Sequence, residues 1–136
     1  MASRSFLLAH DLGTTGDKAT LYDAEGVLHG SSFHGYETLF PHPNWAEQRP
    51  EDWWQAVCRT TRDLLDSTGA GAGEVAALCF SGQMMGCVLV DGTGAALRNA
   101  IIWADMRAVT QVERVARAVD SADAYRICGH RLSPSY

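Results

Sequence analysis

The chain has 136 residues, 46% hydrophobic and 20% charged, a balance that fits one soluble folded domain and excludes a disordered segment. Its longest apolar runs, "FLLA" and "VAALCF", are too short to span a bilayer, and "MASRSFLLAHD" reaches a charge before any export signal could form, so a cytoplasmic location is expected. A net charge of −5 with scattered Lys and Arg offers no groove for nucleic acid.

The first element is a short apolar strand from Phe6 to His10, of the kind covered on both faces. It runs into "HDLGTTGDKATLYD", a turn rich in Gly and Thr. After it "KATLYD" alternates, with Ala19 and Leu21 on one side and Thr20 and Tyr22 on the other; "DAEG" then turns into "VLHGSSF". Together these predict a three-stranded meander. Pro50, in a first-turn position that suits its missing N–H, opens a helix whose N-terminus Glu51 and Asp52 complement. Trp54, Val57, Cys58, Thr61 and Leu65 form its expected inner face, and it fades at Ser67 to Gly73. "VAALCF" is the next strand, and "VLVDGTGAALRNAIIW" reads as a hairpin broken at Asp91 and Gly92. A second helix is expected from about Met106, with Val109, Val112, Ala116 and Val119 inward and Glu113 to Arg117 as a surface pair. A third, capped by Ser121, closes at Gly129. The order predicts an α/β domain with a mixed β-sheet flanked by helices. Cys58, Cys79, Cys87 and Cys128 lack C-x-x-C spacing, which argues for reduced core thiols.

Three clusters carry chemistry. In the first, a strand delivers Asp11 to its end, Gly13 and Gly16 let backbone N–H groups face an anion, Thr14 and Thr15 add hydroxyls, and Lys18 adds a cation. Asp11 would carry Mg²⁺ through water, since magnesium keeps much of its hydration shell. The same residues also fit a tight turn without a ligand. Neither a Walker A nor a Rossmann fingerprint is present. In the second, Gln83 follows a strand end and can hydrogen-bond a polyol, with Met84 and Met85 as adaptable apolar walls; a core strand leaving through a glycine turn is the plainer reading. In the third, Trp103 offers a platform and Asp105 can accept hydroxyl protons beside Arg107, although Asp105 fits a helix cap equally well. Three such clusters at the C-terminal ends of strands point to a ligand edge.

"DLGTTGDKATLYD", "PHPNWAEQRPEDWWQAV", "FSGQMMGCVLVD", "AIIWADMR" and "CGHRLSPSY", in order from Phe6 to Tyr136, resemble the N-terminal domain of the FGGY carbohydrate kinases, most closely the xylulokinase-like branch. The resemblance implies an actin-like ATPase, ribonuclease H-like fold and in-line transfer of the γ-phosphoryl group of ATP, with Mg²⁺, to a sugar hydroxyl such as that of xylulose. It implies Asp11 as the metal-associated acid and Gly13, Thr14, Thr15 and Lys18 as the γ-phosphate hairpin. It also implies that Gln83, Met84, Met85, Trp103, Asp105 and Arg107 line the sugar site. Xylulokinase-like members carry Gln-Met-His-Gly where this chain has Gln83-Met84-Met85-Gly86, and Asp17 adds a negative charge beside the hairpin. The family is several-fold longer, so residues 1–136 are expected to be an incomplete N-terminal domain, with the general-base aspartate and the nucleotide-binding C-terminal domain beyond Tyr136. Alone it is expected to be inactive and to self-associate, as a homodimer, through apolar surface that the partner domain would cover. Two other functions fit the bare motifs, a different actin-like ATPase without sugar specificity and a non-catalytic polyol-binding module.

Overall fold

A computed structural model describes residues 5–135; the start of the segment read for export signals, Met1 to Arg4, and Tyr136 lie outside them. The chain forms two compact units, one from residues 1–37 and 49–83 and the other from 38–48 and 84–136.

The first unit is built on strands β1 (Phe6–Leu12), β2 (Gly16–Asp23), β3 (Leu28–Gly35) and β5 (Val75–Gly82) with helix α1 (Pro50–Thr68). Sheet order is β3-β2-β1-β5, with β1–β2 and β2–β3 antiparallel and β1–β5 parallel. The meander and the mixed sheet are as expected. Alternation along β1 and β2 buries Phe6, Leu8, Ala19 and Leu21 against Leu64 of α1 and Ala70, which form the core. The opposite face is open among the described residues. Leu7 is 46% exposed, so β1 is covered on one face rather than two.

Pro50 occupies the first turn of α1, Glu51 and Asp52 follow, and Gly69 ends the helix in the left-handed conformation at φ 67°. The buried stripe is Ala56, Val57, Thr60 and Leu64, one residue out of step with the expected face. Thr60 turns inward because its hydroxyl donates to the buried carboxylate of Asp17 at 2.5 Å. Trp54, Cys58 and Thr61 instead wall an open groove whose far side is Leu78 and Phe80 of β5.

The second unit holds a two-stranded antiparallel sheet, β4 (Glu47–Gln48) with β6 (Ala100–Ile101), followed by α2 (Val109–Ala118) and α3 (Ser121–Cys128). The expected central hairpin is reduced to isolated bridges, Val90 to Ala96 and Cys87 to Ile101, around a turn in which Asp91 accepts from Thr93 and Ala95. None of the residues of α2 is buried, and α3 is capped by Asp120, which accepts from Ala122 and Asp123, rather than by Ser121. Gly129 closes α3 as expected, at φ 79°. All four cysteines are free, but Cys79, Cys87 and Cys128 are exposed and Cys58 is partly so, which corrects their placement in the core. No described helix is long and apolar enough to cross a membrane.

Candidate functional site

The candidate residues fall into two groups, one in each unit. In the first unit the turn Gly13–Thr15 joins β1 to β2 at the C-terminal end of β1. Asp11 and Lys18 sit directly opposite each other in the antiparallel register, both exposed, so a carboxylate and an ammonium flank the turn. Gln83 comes to this same sheet end, its backbone N–H donating to the Leu12 carbonyl at 2.8 Å. Strand alternation separates Lys18 from its neighbour. Asp17 points the other way, fully buried, and accepts from His10 Nδ1 at 2.9 Å and from the Thr60 hydroxyl. The extra negative charge beside the hairpin is thus turned into the core.

The turn is tied back to the sheet. The Gly13 amide donates to the Gly16 carbonyl at 3.0 Å and the Tyr36 amide to the Thr15 carbonyl at 3.2 Å, while the Tyr36 phenol donates to the Gly13 carbonyl. Burial first, and then the charges of Asp17 and Asp11, push that phenol up to about 12, so it stays protonated and a donor at neutral pH. Gly16 has a different reason from the one its sequence suggested. A Cβ there would lie 2.5 Å from the His34 carbonyl and 2.5 Å from the Phe33 ring, so the glycine lets β3 close against β2.

No group of three or more His, Cys, Asp or Glu that could hold a metal exists among the described residues. Asp11 is a single exposed carboxylate beside the Gly13–Thr15 turn, which fits magnesium only where a bound phosphate supplies further ligands, since that ion is held by one or two carboxylates plus substrate phosphates rather than by a protein cage.

In the second unit Met84 and Met85 are exposed, and Met85 takes a left-handed backbone, φ 61°, that a bulky residue rarely adopts. Trp103 is 45% exposed in the turn after β6. Asp105 and Arg107 behave differently. Asp105 is 2% exposed and its Oδ2 accepts from the Ala46 amide at 2.7 Å and from the Arg107 guanidinium at 2.7 Å, while Oδ1 accepts from the Arg107 amide at 2.9 Å. Arg107 also donates to Glu47 at 2.8 Å and lies 3.7 Å from the centre of the Trp45 ring. Arg98 and Asn99 complete the coordination of the Glu47 carboxylate. Burial pushes the Asp105 and Glu47 carboxyls upward, but hydrogen bonds from Arg107, joined by the Ala46 and Arg107 amides at Asp105 and by Asn99 and the Arg98 charge at Glu47, more than offset it. Both are held below the usual carboxylate range. A carboxylate so filled is a poor acceptor for a hydroxyl proton, and the helix-cap alternative also fails, because Ala108 precedes α2.

Sequence reasoning missed Tyr36, Trp45, Glu47 and Arg98. Trp45 and Glu47 lie within "PHPNWAEQRPEDWWQAV", which carries part of the family resemblance, yet no local spacing pairs Glu47 with the distant Arg98 and Arg107.

Comparison with known proteins bears on these groups together. The pattern of the FGGY family of carbohydrate kinases, N-terminal domain, matches residues 6–136. A glycerol kinase of Rippkaea orientalis is 37% identical over 103 residues, covering 75% of this chain and 21% of its own length. A xylulose kinase of Escherichia coli is 34% identical over 126 residues, covering 93% and 25%. The crystal structure of a xyloylose kinase from Brucella ovis superposes with a TM-score of 0.87 at 29% identity, covering 96% of this chain and 27% of that one. The chain therefore spans about a quarter of the length of these relatives. With the actin-like ATPase fold of its structural neighbours and a match that runs from Phe6 to its last residue, the chain belongs to the FGGY family of carbohydrate kinases, as sequence of the N-terminal domain.

Proposed function

We propose that the protein carrying this chain transfers the γ-phosphoryl group of ATP to a hydroxyl of a small polyol, with a ketopentose such as xylulose as the favoured acceptor. The observation that carries this reading is the hairpin end, where Asp11 and Lys18 oppose each other across a turn whose carbonyls are tied inward. Mg·ATP is the co-substrate. Asp11 would hold the magnesium through water, and Thr14, Thr15 and Lys18 receive the γ-phosphate, while Gly13, whose amide is engaged by the Gly16 carbonyl, leaves room for its approach. The acceptor oxygen forms a bond to the γ-phosphorus as the bond from that phosphorus to the bridging oxygen breaks, and ADP leaves. Catalysis is positioning and charge neutralisation.

Gln83, Met84, Met85 and Trp103 contact the acceptor in this reading. Asp105 and Arg107, whose charges satisfy each other, act by holding the Trp103 turn. The family resemblance implies a general-base aspartate outside these residues; Asp105 and Glu47 are held by Arg107, and in this reading the chain alone does not turn over. Four free thiols suit a reducing, cytoplasmic setting. The exposed groove of Trp54, Leu78 and Phe80 supports self-association of the isolated chain as a homodimer, which sedimentation velocity tests.

Glycerol is the second acceptor to weigh, since the relative at 37% identity is a glycerol kinase. The test is ADP release by the full-length protein with Mg·ATP and a panel of xylulose, other pentuloses, gluconate and glycerol. One acceptor should drive release, and Asp11→Ala should abolish it. Release indifferent to every polyol would favour an actin-like ATPase without sugar specificity, and polyol binding without release a binding module.

A further inference from the structure

Tyr36 makes two bonds to the hairpin turn. It lies just beyond β3, partly buried, and its phenol donates to the Gly13 carbonyl while its amide donates to the Thr15 carbonyl at 3.2 Å. These bonds grip the turn at both ends.

No cis peptide occurs among the described residues, so every peptide in the turn is trans. In a trans peptide the carbonyl of one residue and the amide of the next point in opposite directions. Fixing the Gly13 carbonyl on the Tyr36 phenol therefore fixes the Thr14 N–H on the side away from Tyr36. The bond to Thr15 keeps the other end of the turn from swinging. A neutral donor is what this arrangement needs, because a phenolate would repel the carbonyl and could not hold it.

We propose that Tyr36 is a positioning residue for phosphoryl transfer, its phenol and amide clamping the Gly13 and Thr15 carbonyls so that the Thr14 amide is presented to the γ-phosphate. The inference rests on the hairpin being the phosphate site. Tyr36 touches no substrate itself. It acts through Thr14, by removing the freedom of a turn that two threonines and a glycine would otherwise leave soft, so that the amide need not be reoriented when phosphate arrives.

The experiment compares the full-length protein with its Tyr36→Phe variant, which keeps the ring and removes only the hydroxyl. Two readouts are taken by NMR: the Gly13 carbonyl ¹³C resonance without ligand, and the Thr14 amide during titration with Mg·ATP. Thr68→Val serves as control, since Thr68 donates to the Leu64 carbonyl at 2.7 Å inside α1 and is no part of the hairpin. We expect the Gly13 carbonyl to move upfield in Tyr36→Phe and Mg·ATP to bind about fivefold more weakly, the loss of one ordinary hydrogen bond, with a smaller shift at Thr14. Thr68→Val should lower the melting temperature and leave that affinity alone. An unmoved Gly13 carbonyl, an equal affinity in Tyr36→Phe, or an equal loss in Thr68→Val would each overturn the role of Tyr36. If Mg·ATP perturbs no hairpin amide in the unmodified full-length protein, the phosphate reading falls and takes the proposal with it; the ligand-free carbonyl shift still shows whether the clamp exists.

Discussion

His10 and Asp17 meet across the first hairpin with both side chains wholly buried, the imidazole Nδ1 donating to the carboxylate at 2.9 Å. The Thr60 hydroxyl donates to the same oxygen, the Thr61 hydroxyl lies 3.2 Å from the far imidazole nitrogen, and Phe80 stacks on the ring with centroids 5.1 Å apart. This polar knot pins the β1–β2 hairpin to α1. Sheet alternation makes it possible, since Asp17 faces the helix while Lys18 beside it faces out.

Removing one member leaves the other buried without its partner. Asp17→Asn and His10→Leu should each destabilise the chain by about 2–4 kcal/mol, measured by urea unfolding. A joint His10→Ile and Asp17→Val exchange, apolar and smaller, should recover most of that loss. If the double variant is as unstable as the sum of the singles, the knot contributes more than mutual satisfaction of buried groups.

Much of the first unit was legible because period-two alternation and turn residues are local signals. Ala19 and Leu21 face inward where "KATLYD" puts them, and Pro50 and Gly69 bound α1 as their backbone preferences require. The face of α1 was misread by one residue because local spacing does not tell Thr60 from Thr61, and only the distant Asp17 makes a buried hydroxyl at Thr60 favourable. In the second unit local signals were weaker. Val109 and Val119 keep helical spacing yet are 42% and 40% exposed, since periodicity reports a face without saying what covers it. Asp105 was legible as a functional-looking carboxylate, but Ala46, whose amide donates to it, and Glu47, which shares Arg107 with it, lie more than fifty residues away in sequence, beyond any spacing argument.

The Arg107 cluster makes a signed prediction for pH. Asp105 and Glu47 are held below their ordinary values of 3.8 and 4.5 in the folded state. The stability they contribute is present above those values and is lost as pH falls from about 4.5 through their folded values. Arg107→Gln leaves two buried carboxylates short of their main partner, costing about 3–5 kcal/mol at pH 7. Burial then dominates at Asp105, so the loss of stability between pH 5 and 3 should flatten in the variant. Urea midpoints at pH 7, 5, 4 and 3 read this directly, and parallel curves for the two proteins would count against the cluster as the source.

Lys18 separates binding from folding. Its side chain is exposed on β2 and opposite Asp11, so Lys18→Met should change stability by no more than about 0.5 kcal/mol. On the proposal that Lys18 meets the γ-phosphate, its loss from the full-length protein should weaken Mg·ATP binding about tenfold, and more at low salt than at high. Unchanged affinity measured by calorimetry would remove Lys18 from the phosphate site.

The two glycines of the turn should answer differently to the same substitution. At Gly13 a new Cβ would find the Gly16 carbonyl at 3.6 Å, an ordinary contact, and its φ lies outside the left-handed region. Gly13→Ala should therefore fold with little loss. At Gly16 the Cβ would meet backbone, the His34 carbonyl at 2.5 Å, and an aromatic ring at the same distance. The Phe33 ring is on the surface and can swing aside, but the carbonyl belongs to the β2–β3 ladder and cannot move without parting the strands. Gly16→Ala should cost about 1–3 kcal/mol in thermal unfolding. Parting the strands there also moves Tyr36, two residues beyond His34, away from the turn it clamps. Amide exchange across residues 12–18 should thus quicken in Gly16→Ala and stay near that of the unmodified chain in Gly13→Ala; equal protection in the two variants would mean that the spacing of β2 and β3 does not govern the turn.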